Sequence, residues 1–303
     1  MSNKYIITNP LESAEVTVAK DSVYNTNVKI LTTRFKKLFK NLEADIKSKT
    51  NISKRGKLAG SRLYRYEFDS RIFKKTEDKF SDFDLTFVFL IDVSGSMSSR
   101  CKGVTREYLS RLDVSKAITK AISNVLKNTL KGKVGVEILL KACAETSIDD
   151  YGNPGFLSRV YSSFVKDLDT DIIDRIGYSS PISKEDKHVK GSSTPEMLLG
   201  KGIKYFLNNY ISTKNYIIFN LTDGGTYCGM SEDYEGWWGS FDTFSNERSI
   251  KTHFKNVPFI SIMIGSYKSE GDLGYPNPVF CSDSKFAIRL ENVIRKVVKG
   301  VVE

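Results

Sequence analysis

The chain has 303 residues, 40% of them hydrophobic, and a net charge of +10. That length holds one large domain, or one of roughly 200 residues with a smaller companion, and the apolar content excludes wholesale disorder. Only two histidines occur, His188 and His253, with no HExxH pattern, which argues against zinc chemistry and histidine-based catalysis.

The opening residues MSNKYIITNPLESAEV show no basic run followed by an apolar one, so no signal peptide is expected. No apolar stretch approaches the ~20 residues that span a bilayer. Residues 1–22 read as irregular, with weak strand character over 15–19. Next, Leu31, Phe35, Leu38, Leu42 and Ile46 recur at helical spacing with lysines between them. They predict an amphipathic helix packed on the main domain rather than on a membrane. Residues 1–80 hold 18 Lys and Arg against 9 Asp and Glu, whereas residues 81–303 hold 28 against 27. The excess charge is therefore local to an amino-terminal extension, 1–80. It fits either an acidic partner or a solvated helix face. Within it Arg62, Tyr64, Arg65 and Tyr66 combine bases with aromatic rings. Such a set can stack on RNA or single-stranded DNA, or form an arm clamped on the next domain.

From Leu85 the pattern alternates. LTFVFLIDV is apolar throughout, as a strand covered on both faces should be. SRLDVSKAITKAISNVLKNTL predicts a helix, KVGVEILLKA a second strand, and ETSIDDY a return beside it. Residues 152–190 read as loops and short helices. TPEMLLGKGIKYFLNNY predicts a helix with Pro195 in its first turn. NYIIFNLTDGG predicts a strand, NERSIKTHFKN a short helix, VPFISIMIG a strand, and FAIRLENVIRKVVKGVV a closing helix. The order implies an α/β fold with a doubly wound, mostly parallel sheet flanked by helices, spanning 81–303. The cysteines Cys101, Cys143, Cys228 and Cys281 are far apart without a CxxC pair. They read as reduced thiols of a cytoplasmic protein.

In open α/β sheets ligands sit at the carboxyl ends of the strands. Two central strands end in acids, Asp92 in LIDVSGS and Asp223 in NLTDGG, and GSSTPEM brings Thr194 to a helix start. With Ser94 and Ser96 these make two carboxylates and three hydroxyls, an all-oxygen set suited to Mg²⁺ or Mn²⁺ rather than zinc. After TDGG, residues 231–247 carry five acids and no base, together with Tyr234, Trp237 and Trp238. These aromatics can anchor a protein partner or fold into a small local core.

DVSGS, the Thr194 region and the TDG after a buried strand resemble the three parts of the metal-ion-dependent adhesion site of von Willebrand factor A domains. The likeness runs over residues 84–303. It implies Ser94, Ser96 and Thr194 as hydroxyl ligands, with Ser192 and Ser193 as neighbouring alternatives to Thr194. Asp92 and Asp223 would hold the metal directly or through water, and a partner's Asp or Glu would complete the shell. More narrowly, KRGKLAGSRLYRYEFDSRIFKKTEDKFSDFDLTFVFLIDVSGSM resembles the lead into the A domain of the large cobaltochelatase-type subunit, which works with a MoxR-like AAA+ ATPase. No long acidic stretch precedes it here, so an adaptor is expected rather than a chelatase. No GxxxxGK[ST] loop occurs in the chain, and no histidine stands in the serine motif. The expected role is thus protein recognition without catalysis, with nucleic-acid binding by the basic extension as the alternative.

Overall fold

The computed structural model describes residues 6–8, 22–47, 50–53, 57–58, 73–76, 85–93, 95–129, 134–141, 157–177, 215–223, 257–265, 277–281 and 285–302. Strand β1 is Ile6–Thr8 and helix α1 is Ser22–Lys47. The spacing of its apolar residues is met: Leu31, Phe35 and Leu38 are buried, and Phe39 joins them. Lys36, Lys37 and Lys40 stay exposed. The side chains of Leu42 and Ile46 lie outside the described residues. Strands β2 (Thr50–Ser53), β3 (Lys57–Leu58) and β4 (Phe73–Thr76) form a small antiparallel sheet in the order β2-β4-β3.

Strand β5 is Leu85–Asp92, with all eight residues buried. A short hairpin of β6 (Arg100–Lys102) and β7 (Tyr108–Ser110) leads into α2 (Arg111–Thr129). Then come β8 (Gly135–Lys141), β9 (Leu157–Phe164), β10 (Asn215–Thr222), β11 (Phe259–Met263), β12 (Pro278–Phe280) and α3 (Phe286–Val302). The main sheet has seven strands in the order β1-β9-β8-β5-β10-β11-β12. All neighbours are parallel except β8 and β9. From β5 onward the strands stand in the doubly wound order 3-2-1-4-5-6. The order reverses between β5 and β10, and a crevice opens at the carboxyl ends of strands at such a reversal.

One sheet face forms a core with the three described α-helices. Phe87, Phe89, Ile91 and Val93 of the β5 segment join Ile217, Phe219 and Leu221 of β10 in one cluster. Phe35 of α1, Ile118 of α2 and Leu290 of α3 belong to the same cluster. Phe89 stacks on Phe219 at 5.2 Å, and Phe39 meets Phe87 edge-on at 6.1 Å. The basic helix is thus built into the apolar interior, where burying one large side chain is worth about 1.5–3 kcal/mol. It is also pinned by polar contacts. Tyr24 donates to Asp174 at 2.7 Å, and Lys120 of α2 bonds both Asp171 and Asp174.

Residues 152–190, read from the sequence as loops and short helices, contain strand β9 as well as the short 3-10 helices Val165–Asp167 and Thr170–Arg175. The strand escaped notice because its alternation is broken. Tyr161 pairs with Ile138 but Arg159 with the adjacent Leu139, so Val160 is an extra residue in a bulge. ETSIDDY, expected in that position, lies outside the described residues, as do 15–19 and the helices expected over 194–210 and 246–256.

Candidate functional site

The loop after β5 is shaped by its apolar members. Val93 and Met97 are fully buried, and between them Gly95–Ser98 forms a turn of 3-10 helix. With those two anchors inside, Ser96 is exposed on the same turn. Ser99 N–H closes the turn by donating to the Ser96 carbonyl at 3.1 Å. Arg111 N–H donates to the Ser99 carbonyl at 2.9 Å and so ties the loop to the start of α2.

Asp92 ends β5 and is only 4% exposed. Ile91 is registered with Leu221, so the next residues, Asp92 and Thr222, are side by side. Thr222 Oγ1 donates to Asp92 Oδ2 at 3.0 Å. The buried Lys141 ammonium at the end of β8 stands 3.8 Å from the same oxygen. Asp223, one residue beyond β10, accepts from Arg111 Nη1 at 2.8 Å. Arg111 is the first residue of α2. That helix start is set by Ser110, whose Oγ accepts from Asp113 N–H at 3.0 Å and donates to its carboxylate at 2.6 Å. Behind the guanidinium, Gly265 has φ +75°, and a Cβ there would collide with Arg111 Nε. Among the described residues this buried Nε has no hydrogen-bond partner. Glycine thus serves twice at that position, in backbone conformation and in close approach.

Asp92 thus ends β5 and Asp223 follows β10, its neighbour in the sheet, at the carboxyl ends where the strand order reverses. Each also faces a cation of the chain itself, Lys141 or Arg111. A divalent ion would compete with these fixed cations for the same oxygens. The donor chemistry fits Mg²⁺, which favours carboxylate, hydroxyl and water oxygens. A metal drawing on Asp223 Oδ2 would have to displace the guanidinium. Among the described residues no three of His, Cys, Asp and Glu converge. The expected set holds two carboxylates only, its other members being hydroxyls.

Of the residues singled out by sequence, Asp92, Ser96 and Asp223 stand at this edge. Ser94, Thr194, Tyr234, Trp237, Trp238, Arg62, Tyr64, Arg65 and Tyr66 lie outside the described residues. Sequence reasoning missed Thr222, Lys141 and Arg111. Thr222 precedes Asp223 in a strand whose register makes it the neighbour of Asp92. Lys141 had a signal: GVEILLK puts Glu137 and Lys141 four apart, hence on one face of a strand otherwise apolar. Glu137 is satisfied by Arg159, which donates to both carboxylate oxygens at 2.8 and 2.7 Å, and by Ser162 at 2.7 Å. Cys101 and Cys281 are free thiols. Burial raises the Cys101 thiol to about 11 and the Cys281 thiol well above its ordinary value, so neither is primed for nucleophilic attack.

No protein-family model matches the chain, and no curated protein matches it significantly. No helix of the described residues is long and apolar enough to cross a membrane.

Proposed function

We propose that the chain is a Mg²⁺- or Mn²⁺-dependent protein-recognition module of the von Willebrand factor A type, acting as an adaptor for an AAA+ ATPase. The observation that carries the reading is the position of Asp92 and Asp223 at the carboxyl ends of two adjacent parallel strands, where the strand order reverses. The order of the strands and the exposure of Ser96 on a turn beside Asp92 support it too. In this reading Asp92, Ser94, Ser96, Thr194 and Asp223 hold the ion. The bound ion supplies an electrophilic position that a partner's carboxylate fills by displacing water. The chain's own residues aim that position. Thr222 orients the Asp92 carboxylate, Val93 and Met97 anchor the serine loop, and Arg111 occupies Asp223 until the ion arrives. The role is recognition, with no reacting bond.

The test is capture of an AAA+ ATPase from cell extract by immobilised protein, in Mg²⁺ and in EDTA. Wild type in Mg²⁺ should retain it. EDTA, or Asp92→Asn with Asp223→Asn in a chain that keeps its circular dichroism, should abolish retention. Recovery of the same ATPase under all four conditions would refute the reading.

A further inference from the structure

A cavity of about 460 Å³ opens beside α3, at the sheet edge that carries Asp223. Six cationic residues line it: Arg34 of α1, Arg100, Lys102 and Arg106 of the β6–β7 hairpin, Arg111 of α2, and Lys285 at the start of α3. Among the described residues no carboxylate lines it. Arg111 is committed to Asp223. Among the described residues, Arg34, Arg100, Lys102 and Arg106 have no acidic partner, although Lys102 lies over the Tyr108 ring at 5.7 Å. Like charges brought around one concavity repel each other. They are tolerated where a counter-anion resides, because a cleft of one sign concentrates ions of the other. Phe286 and Ala287, in the first turn of the 17-residue α3, line the same cavity. A helix start adds unpaired N–H groups and the positive end of its dipole.

The hairpin that supplies three of these cations is held from α1. Asn27 is buried and donates to Thr105 Oγ1 at 3.1 Å while accepting from Thr105 N–H at 3.2 Å. It sits so close to Gly103 that a Cβ there would fall 2.7 Å from Asn27 Oδ1. Arg106, at the end of this turn, has φ 70°, a left-handed conformation that asparagine or glycine would adopt at less cost. The cations thus stand on a braced loop and not on a loose arm. The cavity has the size of a small-molecule site. Its apolar wall includes Ile288, 49% exposed, and Tyr108, 63% exposed.

We infer that this cavity binds a small anion bearing two or more phosphate groups. Arginines provide planar donors for phosphate oxygens, Lys285 and the α3 start provide positive potential, and the exposed Tyr108 and Ile288 offer an apolar surface to any group attached to the phosphates. The inference does not rest on the metal reading, although Arg111 borders both places.

The test uses the full chain and three probes, sodium triphosphate, ATP and adenosine, measured by calorimetry in metal-free buffer at moderate salt. Triphosphate and ATP should bind and adenosine should not. A tighter fit for ATP would identify a nucleotide as the source of the phosphates, and equal affinity would identify an inorganic polyphosphate. Arg100→Glu with Lys285→Glu should weaken triphosphate about tenfold or more. The control Lys166→Glu, a base remote from the cavity lining, should leave it within twofold. Absence of binding by both phosphate probes, or equal loss in the control, would overturn the inference. So would equal affinity for a hydroxyl-ended RNA oligomer, which would mark a diffuse basic surface.

Discussion

Replacing Arg111 with glutamine separates the two halves of the proposed metal site. The guanidinium lies 2.8 Å from Asp223, whose side chain is 3% exposed, while Arg111 itself is 24% exposed. At about 4 Å and an effective dielectric near 20 the bare attraction is about 4 kcal/mol. Desolvation and the partial exposure of arginine offset much of it, and a charge-assisted hydrogen bond nets about 1.5–3 kcal/mol. Arg111→Gln should therefore lose about 2 kcal/mol in urea melts in EDTA. Millimolar Mg²⁺ should return more stability to the variant than to wild type, since its ion no longer competes with the guanidinium. The same 2 kcal/mol, read as affinity, is a tightening of Mg²⁺ binding by about thirtyfold. Equal Mg²⁺ increments for the two proteins, or a larger one for wild type, would refute the competition between arginine and metal.

Phe35→Ala removes a fully buried ring from α1 and should cost about 3–5 kcal/mol by denaturant titration, against under 1 kcal/mol for a helix resting on the surface. Alkaline pH should also weaken the α1 attachment. Burial, and then its bond to Asp174, hold the Tyr24 hydroxyl far above the usual tyrosine value. A raised value means that its stabilisation is complete below about pH 10 and declines above it, as the unfolded tyrosine ionises first. Stability measured from pH 9 to 11.5 should fall less steeply in Tyr24→Phe than in wild type. For Lys120, burial pulls its pKa down, but the bonds to Asp171 and Asp174 outweigh this and leave it raised. Its share is therefore lost at still higher pH. Ser261→Ala should be neutral or stabilising by about 1 kcal/mol in the same melts, because Ser261 Oγ is buried with no hydrogen-bond partner among the described residues.

Much of the sheet was legible because its central strands are apolar throughout. β5, β10 and β11 fall where LTFVFLIDV, NYIIFNLTDGG and VPFISIMIG predicted them. The helical face of α1 was legible for a similar reason, since Leu31, Phe35 and Leu38 keep a single period. β9 was not, because the bulge at Val160 breaks the alternation that identifies a strand. At the site, the two acids could be read from the ends of their strands. Arg111 could not, since its pairing with Asp223 depends on where the start of α2 meets the end of β10, a tertiary distance with no trace in local pattern. The cavity cations were hidden likewise. Arg34, the hairpin bases and Lys285 are separated by up to 251 positions in the chain.

Helix α1 belongs to the first fifty residues and α3 to the last twenty, and both contribute to one apolar cluster. On a ribosome, the segment that covers part of the sheet beside α1 emerges long after α1 itself. Until then the faces of Phe35 and Leu38 and their sheet neighbours stay incompletely enclosed, and closing so long a loop is slow. Apolar surface left open in this way is what makes a partly folded chain prone to aggregation. A frameshift that removed α3 would leave a product with nearly all of the site residues and an open core, exposed to aggregation and proteolysis.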